Sequence, residues 1–135
     1  MENSSQGPRR ISGPRRILVA DDSSSGRMLV VGVLTQHGFR VAHASSAEQL
    51  TALLASDTYD AVVLNLTMPP NHGPEYVSHV RSLMPEQTQL VVYSILDQDE
   101  VEASVKRAGA DHFFQTPIQF AALVRQLEAS DTPSE

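Results

Sequence analysis

The chain has no cysteine, which excludes disulfides and thiolate chemistry and fits a reducing compartment. It has no apolar run approaching the roughly 18 residues that a membrane span needs. Its N-terminus lacks the apolar stretch of a signal peptide, so a cytoplasmic location is the default expectation. A glycine-rich phosphate loop and a nucleophile–base pair are also missing, so an independent enzyme is not expected, and no cofactor is required. His37, His43, His72, His79 and His112 match no zinc signature and read as solvated surface side chains. What is present is ordinary for a globular protein. The 135 residues are 41% hydrophobic and 19% charged, enough for one core and one domain.

The net charge of −6 is unevenly spread. Arg9, Arg10, Arg15 and Arg16 lie within the first sixteen residues against one acid, Glu2. The remainder carries six basic and fifteen acidic residues, a net of −9. An acidic body argues against a nucleic-acid-binding face and suits basic partners or a cation. Residues 1–16 contain a short repeat, Gly7-Pro8-Arg9-Arg10-Ile11 and Gly13-Pro14-Arg15-Arg16-Ile17. They read as a flexible basic N-terminal tail. The alternative is an arm that touches an anionic polymer. Residues 17–129 form the expected domain, and 130–135 a short polar tail with no room for an output domain.

Between the tails, apolar runs alternate with helical patterns. Strands are expected at 17–20, 40–44, 61–64, 90–94 and 113–115. Helices are expected at about 26–36, 46–55, 74–83, 99–108 and 118–128. Ser45 with Glu48 reads as a capping box for the second helix, whose Leu50, Leu53 and Leu54 share one face. Residues 68–73 read as a turn-rich loop, while Gly38 and Gly109 close helices. Five strands alternating with five helices imply a doubly wound parallel sheet. Ligands of such sheets bind beyond the carboxyl ends of the strands, where strand order reverses. That rule selects Asp21, Asp22, residues 65–67, Ser94 and Thr116.

Over residues 17–128 the sequence resembles the receiver domain of bacterial response regulators, the CheY-like family. The resemblance rests on Ile17-Leu18-Val19-Ala20-Asp21-Asp22, on Met68-Pro69 followed by Gly73, on Ala108-Gly109-Ala110-Asp111, and on Pro117 before the last helix. It implies a flavodoxin-like (βα)5 fold with strand order 2-1-3-4-5. It also implies a pocket in which three carboxylates gather around magnesium and the third accepts a phosphoryl group from a histidine kinase. A lysine there pairs with the phosphoryl oxygens.

Asp21 and Asp22 match the acidic pair, Ser94 the switch hydroxyl, and Thr67 the position whose backbone carbonyl faces the metal. Two positions depart from the pattern. Asn65 stands where the phosphoacceptor aspartate belongs, and Thr116 where the lysine belongs. Phe113 occupies the place of a rotating aromatic, without its occasional hydroxyl. With two carboxylates and no lysine, the pocket keeps the usual net of −2. The acidic pair either holds a cation or caps the first helix; a weak Mg2+ site would use Asp22, the Asn65 amide oxygen and the Thr67 carbonyl.

The expected function is that of a pseudo-receiver in two-component signal transduction, working by protein–protein interaction without phosphorylation. Its partner, another protein or a second copy in a homodimer, would meet the face of the fourth helix, fifth strand and fifth helix, about residues 99–108, 112–115 and 118–128. Two alternatives stand beside it: a conventional receiver carrying an acceptor Asp-to-Asn substitution, and an anionic-polymer adaptor using the arginine arm.

Overall fold

The computed structural model describes residues 15–68, 71–94, 98–115 and 120–129. Along the chain they form β1 (Arg16–Ala20), α1 (Ser24–Gln36), β2 (Arg40–Ala44), α2 (Ala47–Ser56) and β3 (Ala61–Asn65). Next come the two-residue strands β4 (Thr67–Met68) and β5 (Asn71–His72), then α3 (Gly73–Ser82), β6 (Gln89–Ser94), α4 (Gln98–Ala108), β7 (His112–Gln115) and α5 (Phe120–Ala129). The main sheet runs β2-β1-β3-β6-β7 with every neighbour parallel. With β4 and β5 set aside, this is the 2-1-3-4-5 order of a flavodoxin-like fold.

Apolar runs without alternation become the central strands because both of their faces are covered. Ile17 to Ala20 and Ala61 to Leu64 are fully buried. Strand alternation then sorts them into two clusters. Ile17, Val19, Ala61, Val63 and Val91 pack with Val30 and Leu34 of α1 and Leu123 and Leu127 of α5. Leu18, Val62, Leu64, Leu90 and Val92 pack with Leu50 of α2, Val77 and Val80 of α3, and Val105 of α4. Leu53 and Leu54 flank this second cluster, as their spacing with Leu50 requires.

Gly38 ends α1 at φ +92°, with its N–H on the Thr35 carbonyl and the Phe39 N–H on that of Leu34. The Ala108-Gly109-Ala110-Asp111 motif clamps the far edge of the sheet. Asp111 receives the Leu90 N–H at 2.8 Å and faces the Arg81 guanidinium at 3.4 Å.

Three local expectations are corrected. The cap of α2 is Ser46, whose hydroxyl accepts the Gln49 N–H at 3.1 Å, and not Ser45 with Glu48. Gln49 returns the interaction through Oε1, which accepts from the N–H and hydroxyl of Ser45. The glutamine carboxamide thus takes the part expected of Glu48, one residue later. The loop after β3 is partly ordered as a ladder, pairing Thr67 with His72 and Met68 with Asn71; Pro69 and Pro70 lie outside the described residues.

The third correction moves the domain boundary. Arg15 is buried and donates to the Leu127 carbonyl of α5, while Arg16 is already in β1. The Arg16 guanidinium makes a two-pronged contact with Asp57 at 2.6 and 2.8 Å and lies 5.2 Å from the Tyr59 ring centroid. These two arginines belong to the fold, and only residues 1–14 of the expected tail fall outside the described residues, as do 130–135.

Candidate functional site

Alternation decides which side chains meet at the carboxyl end of the sheet. On β1, Ile17 and Val19 face α1 and α5, and Asp21 continues that face just past the strand. On β3 the same face carries Ala61, Val63 and then Asn65. On β6 it carries Val91 and then Tyr93. These three strands are neighbours, and Asn65 and Tyr93 are register partners. Asp21, Asn65 and Tyr93 are therefore brought to one spot, at the strand ends where order reverses.

They form a closed polar node. Asp21 is 4% exposed. Its Oδ1 accepts the Ser23 N–H at 2.9 Å and the Asn65 Nδ2–H at 3.1 Å. Its Oδ2 accepts the Tyr93 hydroxyl at 2.5 Å. Asn65 completes the arrangement by accepting the Thr67 N–H on Oδ1 at 3.3 Å. The carboxamide has one sensible orientation here, because a carboxylate only accepts and a backbone N–H only donates. Burial, and then the bond to Asp21, raise the Tyr93 phenol far above its ordinary range, so it stays a protonated donor. Asp21 also helps the acidic segment start α1: it holds Ser23, whose hydroxyl caps the helix on the Gly26 N–H at 3.2 Å.

The other expected site residues sit around this node in different ways. Asp22 is exposed, and Thr67 reaches Asn65 through its backbone N–H. Ser94 and Phe113 are buried. By alternation they point to the opposite face, where Phe113 joins the cluster of α2, α3 and α4. Ser94 pairs in register with Gln115 and not with Asn65. Thr116 and Pro117 lie outside the described residues.

Two participants escape the sequence reading. Tyr93 reads there as one more member of an apolar strand, although a buried tyrosine hydroxyl usually needs a partner. Arg27, in the first turn of α1, donates from its guanidinium to the Asp21 carbonyl at 2.9 Å and to His43 Nδ1 at 3.2 Å. Counting it, the acidic end carries a nearby cation, so the expected net of −2 is reduced to −1. The chain's single lysine, Lys106, is on α4 and pairs with Glu102 at 2.7 Å.

A receiver-type magnesium ion needs hard oxygen ligands at about 2.1 Å in an octahedron. The node around Asp21 does not fit it. Both oxygens of Asp21 accept protein hydrogens, and Asn65 turns its NH2 towards Asp21, so the exposed Asp22 is the carboxylate that remains. Among the described residues, no group of three or more His, Cys, Asp or Glu side chains could hold a metal ion.

A doubly wound parallel sheet of this order, with an acidic residue at its switch point, is an α/β module of the flavodoxin-like class. The model of the response regulator receiver domain matches residues 17–128, and the chain belongs to that family. It is 32% identical to the sensory/regulatory protein RpfC of Xanthomonas campestris over 83% of this chain, and it spans 16% of that longer protein. It is 25% identical to the chemotaxis protein CheY of Thermotoga maritima, covering 84% of this chain and 94% of that one. The solved structure of CheY4 of Vibrio cholerae superposes with a TM-score of 0.75 at 25% identity, over 87% of this chain and 98% of that one. Receiver domains are modules of two-component signalling. Among the described residues no helix is long and apolar enough to cross a membrane.

Proposed function

We propose that this chain is a phosphorylation-independent receiver, a pseudo-receiver that signals by binding a partner protein. The observation that carries this reading is the Asn65 side chain, which stands at the acceptor position and points its NH2 at Asp21. A carboxamide bears no negative charge and its nitrogen lone pair is delocalised, so it is a poor nucleophile. The inward face of the amide is moreover a donor, where chemistry would require an attacking oxygen.

The partner, another protein or a second copy, meets the face of α4, β7 and α5. Strand β7 supports this reading because it is an open edge of the sheet, and Phe114 and Phe120 are only partly buried there. No observation favours the arginine-arm adaptor, since Arg15 and Arg16 are engaged within the fold.

The test is incubation with acetyl phosphate and magnesium followed by intact mass. The expected result is an unchanged mass. A stable gain of one phosphoryl group mapped to residues 21, 22, 65, 67 or 94 overturns the reading. Asn65→Asp is the companion: weak or absent turnover is expected, and normal magnesium-dependent turnover would mean that the pocket is built for phosphotransfer.

A further inference from the structure

The receiver fold brings with it a divalent-cation site, and the residues here disagree with that inheritance. The disagreement centres on Tyr93, a residue that the phosphorylation-independent reading does not use. Tyr93 is 4% exposed and its body packs with the cluster of α1 and α5. Apolar packing alone does not call for a hydroxyl at this place, since Val91, two residues earlier on the same face, packs as a plain hydrocarbon. The hydroxyl is nevertheless buried and carries one bond, to Asp21 Oδ2. A buried phenol facing a buried carboxylate satisfies both groups, and leaving either alone would be costly.

We infer that Tyr93 makes the pocket cation-free: its hydroxyl, with the Asn65 NH2 and the Ser23 N–H, occupies the carboxylate of Asp21 with hydrogens and so shuts out a divalent ion. An ion ligated by Asp21 must displace the Tyr93 proton donor from Oδ2, or turn the Asn65 amide away from Oδ1. Turning the amide would in turn set its NH2 against the Thr67 N–H, donor against donor. Arg27 adds a positive charge that already answers the acidic end through the Asp21 carbonyl. The change at position 65 is thereby locked. An acid restored at 65 would still face an Asp21 held by Tyr93.

This inference rests on the reading that position 65 carries no phosphoryl group, but its test is separate. Mn2+ binding is followed by electron paramagnetic resonance and Mg2+ binding by calorimetry, on the wild-type chain, Asn65→Asp, Tyr93→Phe, and the double variant. The wild-type chain is expected to show no saturable site, and the double variant to bind at least about tenfold more tightly than Asn65→Asp alone, the scale of one hydrogen bond to a charged group. Circular dichroism checks the fold of each variant. One saturable Mn2+ per wild-type chain, lost on Asp22→Ala, overturns the inference without any variant at position 93. Equal affinity of Asn65→Asp and the double variant overturns it too. A wild-type chain that binds Mn2+ yet gains no mass from acetyl phosphate sinks this inference alone. A gain of mass sinks the proposed function.

Discussion

At the residue scale, Tyr93 and Asn65 together supply a buried carboxylate with its hydrogens. Removing the phenol hydroxyl leaves Asp21 Oδ2 short of a donor in a place water barely reaches. Tyr93→Phe is expected to destabilise the fold by about 1.5–3 kcal/mol, read from urea midpoints, because the lost bond goes to a charged group. A cost near zero would mean that the phenol packs without bonding. Asn65 is legible in the sequence, because a motif three residues on fixes its place. Tyr93 is not, because strand patterning scores its ring and ignores its hydroxyl. Arg27 is hidden for a different reason: its guanidinium serves a backbone carbonyl, and no spacing of side chains reports that.

Asp57 gives the residue scale a pH signature. The Arg16 guanidinium, and then the Thr58 N–H, hold its carboxyl down at about 2, below the ordinary 3.8. A carboxyl depressed in the folded state contributes stability above the unfolded value, and that contribution fades as pH falls through the folded one. The window is therefore 3.8 down to about 2. The Asp57 carboxyl carbon, followed by NMR, is expected to titrate at about 2; Arg16→Ala should return the midpoint towards 3.8. The pair is exposed, so its effect on stability is small.

At the element scale, the cap of α2 is where sequence and structure differ by a single residue. The sequence signature picks Ser45 with Glu48, although the next residue, Ser46, carries the same hydroxyl. The geometry chooses Ser46 because its extended backbone aims the hydroxyl at Gln49 N–H. Ser46→Ala is expected to cost about 1 kcal/mol, and Ser45→Ala less, by thermal unfolding of the two variants; the reverse ranking would restore the capping box at Ser45.

Gly109 is legible as a helix stop, but the reason for glycine is sharper than a turn. Its φ is +126°, and a Cβ there would lie 2.7 Å from Arg81 Cγ. Gly38, at φ +92°, has open space around the same atom. Alanine is expected to destabilise more at 109 than at 38, by at least about 1 kcal/mol at 109. Equal effects would leave only the backbone preference at work.

At the scale of the whole molecule, five-strand topology is readable because parallel central strands write themselves as unbroken apolar runs. The edges are less readable, and so is the start of the domain. A Pro- and Arg-rich lead-in looks solvated by composition, yet Arg15 is 7% exposed and bound to the last helix. Arg15→Ala is expected to lower the global unfolding midpoint more than Arg16→Ala, because the first truncation opens a buried contact across the molecule and the second removes an exposed ion pair. A larger loss from Arg16→Ala would place the fold's boundary after Arg15.

The same arginine sets where the folded unit is entered and left. Arg15 directly precedes β1, and its partner Leu127 is in the last turn of α5, so the two portals of the domain lie one hydrogen bond apart. A unit with adjoining portals behaves as a cassette. It can be spliced into a loop of a host chain without stretching the host. Tandem copies need only a short connector.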